Sequence, residues 1–250
     1  VKLKNLENLS LEEKIEILKK LKEERDAVIL AHYYVDEEIQ AVADYIGDSF
    51  FLAQKATELK EKTIVMAGVY FMGESVKILN PSKNVLMPDL GADCPMAHMV
   101  SVEKIKEMRE TYDDLAVVTY INSTAEIKAY SDICVTSSNA AKIVNKLEEK
   151  NIFFVPDKNL GAYIKKSLPD KNVILNDGYC PVHDEIDLED VKAYKGKVKI
   201  LAHPECRKEV LDLADFIGST KAIINEAGKY DDVLVVTEDR KSTRLNSSHC

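Results

Sequence analysis

Val28-Ile29-Leu30-Ala31-His32-Tyr33-Tyr34 is the stretch whose reading decides the fold. Its four apolar residues are too few for a helix and read as a buried parallel strand. Polar and aromatic side chains, His32, Tyr33 and Tyr34, follow at the strand's carboxyl end. The same grammar returns in Val117-Val118-Thr119 leading to Tyr120-Ile121-Asn122, and again in Ile200-Leu201-Ala202 leading to His203-Pro204-Glu205. Between the first two copies the match runs ungapped at one constant offset. Asp44 answers to Asp132, Ser49 to Ser137, Gly73 to Gly161, Pro81 to Pro169 and Lys83-Asn84-Val85 to Lys171-Asn172-Val173. In the third copy Asp215 and Thr220 take the places of Asp132 and Ser137. Such agreement marks a repeated unit.

The expected fold class is therefore α/β. Three βαβαβ repeats, each a three-layer αβα domain, are expected around a pseudo-three-fold axis, with the third repeat incomplete. The expected boundaries are 1–97 for an N-terminal helix plus the first repeat, 98–183 for the second and 184–239 for the third. Ser10-Leu11-Glu12-Glu13 is a capping box that opens the N-terminal helix. A second box, Ser123-Thr124-Ala125-Glu126, is expected to open the helix after the second strand-end pair. Asp36 is expected to start a helix running through Ile39, Val42 and Ile46 to Gly47. Residues 240–250 are polar, basic and without period, and read as a non-native tail.

Bulk composition narrows the function. The chain has 250 residues, 46% apolar and 31% charged, as in a globular protein with a sizeable core. A net charge of −9 argues against nucleic acid or an anionic membrane as partner. No apolar run approaches the ~20 residues of a membrane span. With no signal-peptide pattern, a cytoplasmic location is expected. Five cysteines, widely scattered, do not make a disulfide scaffold.

Three sets of residues could carry chemistry. Ligands of parallel α/β sheets bind outside the carboxyl ends of the strands, so the pairs His32 and Tyr34, Tyr120 and Asn122, and His203 and Glu205 suggest a shared pocket. Ser49, Ser137 and Ser219-Thr220 sit where helices begin and could bind carboxylate or phosphate, or simply cap those helices. Cys94-Pro95 and Cys180-Pro181 each follow the last strand of a repeat. Thiolates converging from separate loops suit an iron–sulfur cluster or zinc, although no CxxC run supports this. Cys134 reads as a buried thiol and Cys206 as packing at a helix start. His98 reads as an exposed loop residue, and His183 as a second donor or pocket wall.

Taken in order, Ala31-His32-Tyr33-Tyr34, Asp93-Cys94-Pro95-Met96-Ala97, Thr119-Tyr120-Ile121-Asn122-Ser123, Thr136-Ser137-Ser138-Asn139, Gly178-Tyr179-Cys180-Pro181-Val182-His183 and His203-Pro204-Glu205-Cys206 resemble the quinolinate synthase family. The likeness covers roughly residues 10 to 238. It implies an enzyme of NAD biosynthesis that condenses iminoaspartate with dihydroxyacetone phosphate, functionally coupled to an aspartate oxidase. It also implies a 4Fe–4S cluster held by three cysteines, with an open iron acting as Lewis acid. Carried over, Cys94 and Cys180 match two cluster ligands. Tyr34, Tyr120, His203 and Glu205 match catalytic positions. His32, Ser49, Asn122, Ser137, Ser219 and Thr220 match substrate contacts.

One departure from that pattern stands out. The third cysteine is expected beyond Thr237-Glu238 and is absent, and Cys250 belongs to the suspect tail. The expectation is that this chain binds a cluster poorly, is itself inactive, and exposes apolar surface of its third repeat. Two rivals share the motifs: an iron–sulfur hydro-lyase or zinc enzyme acting on a small anion, and a non-catalytic anion-binding protein.

Overall fold

Each of the three matched apolar runs is a central strand of its own parallel sheet. The computed structural model describes residues 8–238, and the chain falls into two compact units, Val1–Asp93 and Cys94–Cys250. The proposed tail, Cys250 included, lies outside the described residues.

In the first unit, α1 (Leu11–Arg25) is opened by the expected capping box, Ser10 and Glu13 exchanging bonds with each other's backbone N–H. The sheet comprises β1 (Ala27–His32), β2 (Tyr45–Gly47), β3 (Thr63–Ala67) and β4 (Asn84–Leu86), all parallel, in spatial order β2-β1-β3-β4. Helices α2 (Glu37–Ala41), α3 (Ser49–Glu58) and α4 (Tyr70–Leu79) make the crossovers.

The second unit repeats this plan. After α5 (Val102–Thr111) come β5 (Leu115–Tyr120), β6 (Ile133–Val135), β7 (Asn151–Val155) and β8 (Asn172–Leu175), in order β6-β5-β7-β8. Their crossovers are α6 (Ala125–Ala129), α7 (Ala140–Val144) and α8 (Lys158–Lys165). Two more helices, α9 (Pro181–Asp184) and α10 (Leu188–Tyr194), lead to the third sheet. That sheet comprises β9 (Lys199–Ala202), β10 (Phe216–Ile217) and β11 (Val233–Val236), in order β10-β9-β11, with α11 (Lys208–Leu211) and α12 (Thr220–Ala227) between strands.

The α/β class and its repetition stand as expected, with one strand more than βαβαβ predicts in each of the first two sheets and three strands in the third. The segment around Ile46, expected to end a helix, is instead the short strand β2, and β6 and β10 are its counterparts. An aspartate explains the change. Asp44 accepts the Ile29 N–H on its carboxylate at 2.8 Å while its own N–H donates to the Ile29 carbonyl at 2.9 Å. Asp132 does the same to Val117 and Asp215 to Ile200. The clamp fixes the chain beside the central strand, and an extended continuation is the only one that completes the ladder.

β5 is buried along its whole length, as a central parallel strand should be. Ala116, Val118, Ile152 and Phe154 pack on one side with α7 and α8, and Val117, Phe153 and Val155 on the other with α5. The third sheet is likewise covered on both faces, Ile200, Ala202 and Val236 facing α10 and α11, Leu201 and Val235 facing α12. Phe153 and Phe154 are fully buried, each contributing about 1.5–3 kcal/mol by removal from water. Lys171 donates to the carbonyls of Leu147 and Glu149, and Lys83 to those of Ala56 and Leu59. This shared task accounts for the lysine of the repeated Lys-Asn-Val.

Candidate functional site

The sheet order places the reversal of chain direction between β5 and β7, the position where open α/β sheets bind ligands. Tyr120 ends β5, and Asp157 follows β7. From the third sheet, His203 and Glu205 follow β9 and Thr237 follows β11. These residues meet with His183, and all are at least nine-tenths buried.

Glu205 is the centre. Its Oε1 accepts a 2.6 Å hydrogen bond from the Tyr120 hydroxyl, and its Oε2 lies 2.9 Å from His183 Nδ1 and 3.7 Å from His203 Nδ1. The Asn159 side chain donates to its carbonyl at 3.1 Å. His183 also touches Cys180 Sγ at 3.1 Å through Nδ1 and Thr237 Oγ1 at 2.9 Å through Nε2. Its ring stacks on His203 with centroids 5.0 Å apart.

The electrostatics follow from these contacts. Burial alone would raise the Glu205 carboxyl, but the rings of His203 and His183 and the bonds from His183 and Tyr120 outweigh it and hold the group down to about 2. Burial pushes His203 down to about 4, against the attraction of Glu205. A neutral His203 offers the carboxylate no charge, so the hydrogen bonds from Tyr120 and His183 are the firmer cause of its ionisation. Burial, then the Glu205 charge, pushes the Tyr120 phenol well above its usual range and keeps it a donor.

His203 Nδ1 accepts the Glu205 N–H at 3.4 Å, which leaves Nε2 to carry the ring proton. His32 repeats the motif in the first unit. Its Nδ1 accepts the Tyr34 N–H at 3.3 Å, and its ring meets Tyr34 edge-on at 4.0 Å.

Asp157 is fully buried, with Oδ1 accepting the Leu160 N–H at 2.8 Å to cap α8 and Oδ2 without a hydrogen-bond partner. Burial and the nearby Glu205 raise its pKa, while the N–H groups of Leu160, Asn159 and Cys180 pull it back. The backbone holds the loop that leads to Cys180 against the start of α8. Lys158 N–H donates to the Gly178 carbonyl at 2.7 Å, and a Cβ at Gly178 would lie 2.5 Å from the Pro156 carbonyl oxygen.

Cys94 and Cys180 each precede a proline that starts a helical turn, Pro95–His98 in one case and α9 in the other. Both are half-buried against one apolar cluster, and the Cys94 charge bears on the Cys180 thiol. Burial, followed by Glu205, pushes Cys180 far above the usual thiol range. A thiolate therefore needs a cation to form here, and two soft sulfur donors packed against one apolar cluster suit a metal or cluster.

The remaining expected residues are placed as follows. Asn122 and Ser137 are half-buried on loops after β5 and β6. Ser219 caps α12 through its bond from the Ala222 N–H, and Thr220 is the first residue of that helix. Ser49 does not cap α3. Asp48, one residue earlier, takes the Phe51 N–H on its charged side chain. No side chain caps α7 beyond Ser137, because Asn139 bonds back to the Thr136 N–H. Thr124, not Ser123, caps α6, and the Ser123 hydroxyl is buried without a partner. Cys134 is exposed on β6, which corrects its reading as a buried thiol. Cys206 is buried in the third-sheet core, as expected of a packing residue, and His98 is exposed. A cleft of about 300 Å³ between His98, Ser101, Glu103, Thr124 and Glu126 holds none of the expected residues.

Sequence reasoning passed over Asp157, Asn159 and Thr237. The Asp157 signal was available: its repeat counterpart is Val69, which caps nothing. A charged residue replacing an apolar one within matched copies marks a place where the copies differ in task.

Residues 16–250 match the family model described as quinolinate synthetase A protein. The chain is 63% identical over 226 residues to a quinolinate synthase of Fusobacterium nucleatum, covering 89% of this chain and 76% of the relative. It is 51% identical over 225 residues to a quinolinate synthase of Clostridium novyi, covering 88% and 75%. It is 51% identical over 217 residues to quinolinate synthase 2 of Methanosarcina acetivorans, covering 86% and 70%. Among solved structures, an (E)-4-hydroxy-3-methyl-but-2-enyl diphosphate reductase aligns over 95% of this chain and 93% of its own, at TM-score 0.34 and 14% identity. That last likeness carries no argument.

Proposed function

Because this chain belongs to the quinolinate synthetase A family, we propose that it makes quinolinate for NAD biosynthesis by condensing iminoaspartate with dihydroxyacetone phosphate, releasing phosphate and water. The observation that carries the reading is the buried Glu205 carboxylate, kept ionised between the Tyr120 phenol and His183, beside Cys180. Forming a carbon–carbon bond and losing two waters needs a base and an acid in one dry place. Glu205 is the base, accepting a proton on its Oε2 side. Tyr120 holds the carboxylate through Oε1 and returns a proton as needed. His203, neutral and with its proton on Nε2, donates a hydrogen bond to a substrate carbonyl or carboxylate.

The substrates are a dicarboxylate and a phosphate ester. Ser219 accepts the Ala222 N–H, which leaves its hydroxyl proton for an anion at the start of α12, beside Thr220. Asn122 and Ser137 contribute further donors. His32, Ser49 and Tyr34 are assigned to the substrate on their motifs, Tyr34 in a catalytic role. Cys94 and Cys180 would hold a 4Fe–4S cluster. When bound, that cluster supplies a Lewis-acid iron for departure of a hydroxyl. The imine is unstable in water, so coupling to an aspartate oxidase in the cytoplasm would supply it. No helix among the described residues is long and apolar enough to cross a membrane.

The test is anaerobic reconstitution with iron and sulfide, followed by a chromatographic assay for quinolinate, on this chain and in parallel on the Fusobacterium nucleatum relative. Quinolinate from this chain supports the reading. Iron bound by this chain without quinolinate, while the relative makes it, overturns the reading and favours a hydro-lyase.

A further inference from the structure

Three chemically different electron-pair donors converge beside Tyr120. Cys180 Sγ, His183 Nδ1 and a Glu205 carboxylate oxygen lie within 4.8 Å of one another. The imidazole nitrogen sits 3.1 Å from the sulfur and 2.9 Å from Glu205 Oε2. Each flanking atom is held from behind. His183 Nε2 is anchored on the Thr237 hydroxyl at 2.9 Å, and Glu205 Oε1 on the Tyr120 hydroxyl at 2.6 Å. This is the outer shell that protein metal sites use to fix ring orientation and carboxylate direction. As a ligand, His183 carries its ring proton on Nε2, donating to Thr237, instead of on Nδ1, where it bonds Glu205 in the metal-free chain. A cation then takes the place of that Nδ1 proton between the imidazole and the carboxylate.

We propose that Cys180, His183 and Glu205 bind a single divalent transition ion of the zinc class, with the fourth tetrahedral position left for water or a substrate oxygen. Tetrahedral ligands at zinc distances stand about 3.4 Å apart, so the two short separations need to open by about half an ångström while the sulfur and the carboxylate oxygen, up to 4.8 Å apart, draw together. Binding replaces the Cys180 S–H with a sulfur–metal bond and releases that proton to solvent. The ion and an iron–sulfur cluster both need Cys180, so they exclude each other, and metal loading blocks cluster assembly. The proposal does not rest on the cluster reading. It needs His183 and Glu205 and makes no use of Cys94.

The test uses the full chain, freed of metal by a chelator under anaerobic reducing conditions and titrated with cobalt(II). The readouts are the sulfur-to-cobalt charge-transfer band, the visible bands of tetrahedral cobalt, and displacement by zinc. One tetrahedral cobalt with one thiolate is expected per chain, unchanged in Cys94→Ser and lost in His183→Gln and Glu205→Gln. Because those two buried substitutions could disturb folding, Thr237→Val is the second arm. It keeps all three ligands and removes only the anchor of the ring, and should weaken cobalt about 10–100-fold. No cobalt–thiolate band in the unaltered chain overturns the proposal, as does a band that survives His183→Gln but vanishes in Cys94→Ser. Failure of iron–sulfide reconstitution alone would count only against the cluster.

Discussion

At the scale of single residues, burial separates groups that look alike in the sequence. Glu205 is ionised inside the protein because two hydrogen bonds meet its two oxygens. Glu205→Gln keeps the shape and removes the base, so turnover in reconstituted enzyme should fall about 10²–10⁴-fold. Retained activity within a factor of a few would assign the proton transfer elsewhere. Cysteines divide the same way. Cys206 is fully buried, its thiol pushed up to about 12 by burial and then by Glu205, whereas Cys134 lies at the surface with a more modest rise from partial burial of its sulfur. In native protein at mildly alkaline pH, a maleimide should therefore label Cys134 within minutes and leave Cys206 untouched until denaturant is added. Peptide mass spectrometry that finds Cys206 labelled first would contradict the packing of the third sheet.

At the scale of elements, the aspartate clamp decides whether a short strand exists at all. Asp132→Ala removes the acceptor for the Val117 N–H and a surface pair with Arg109. The expected cost is about 1 kcal/mol, nearly all from the hydrogen bond, because exposed ion pairs contribute little. Hydrogen exchange should speed up at β6 and leave β8 unchanged, and equal protection at β6 would show the strand is held by something else. Asp215 adds a pH dependence. Its bond from the Ile200 N–H, aided by Lys199, lowers its pKa, so its clamp is intact above the unfolded value and weakens as pH falls through the folded one. β10 amides should therefore lose protection in acid, and Asp215→Asn should remove that acid step. These clamps also show what a sequence hides. The recurrence of Asp44, Asp132 and Asp215 was plain, and so were the central strands, since buried parallel strands are short apolar runs. The two- and three-residue edge strands carry no period long enough to read. Helix starts were misplaced by one residue wherever a neighbouring Asp or Thr offered the better oxygen, as at Asp48 and Thr124. The strand-end pairs were legible because they recur. Asp157 was legible only as a mismatch with Val69 in the first copy, and Thr237 carried no recurring signal at all.

At the scale of the molecule, the second unit is joined by polar chemistry as much as by its cores. The second sheet contributes Tyr120, Asn159, Cys180 and His183, and the third contributes Glu205 and Thr237. A buried carboxylate that loses its partners costs several kcal/mol, so opening the third sheet alone would strand Glu205 without Tyr120 and His183. The two sheets should therefore unfold together, and amides of β5 and β9 should share one opening free energy in native-state hydrogen exchange. Tyr120→Phe leaves Glu205 Oε1 without its donor and should lower that shared value by about 1–3 kcal/mol in both sheets at once. If β9 exchanged freely while β5 kept its protection, or if Tyr120→Phe affected β5 alone, the polar cluster would be a passenger on two independent cores. Its burial would then have to be explained by function only.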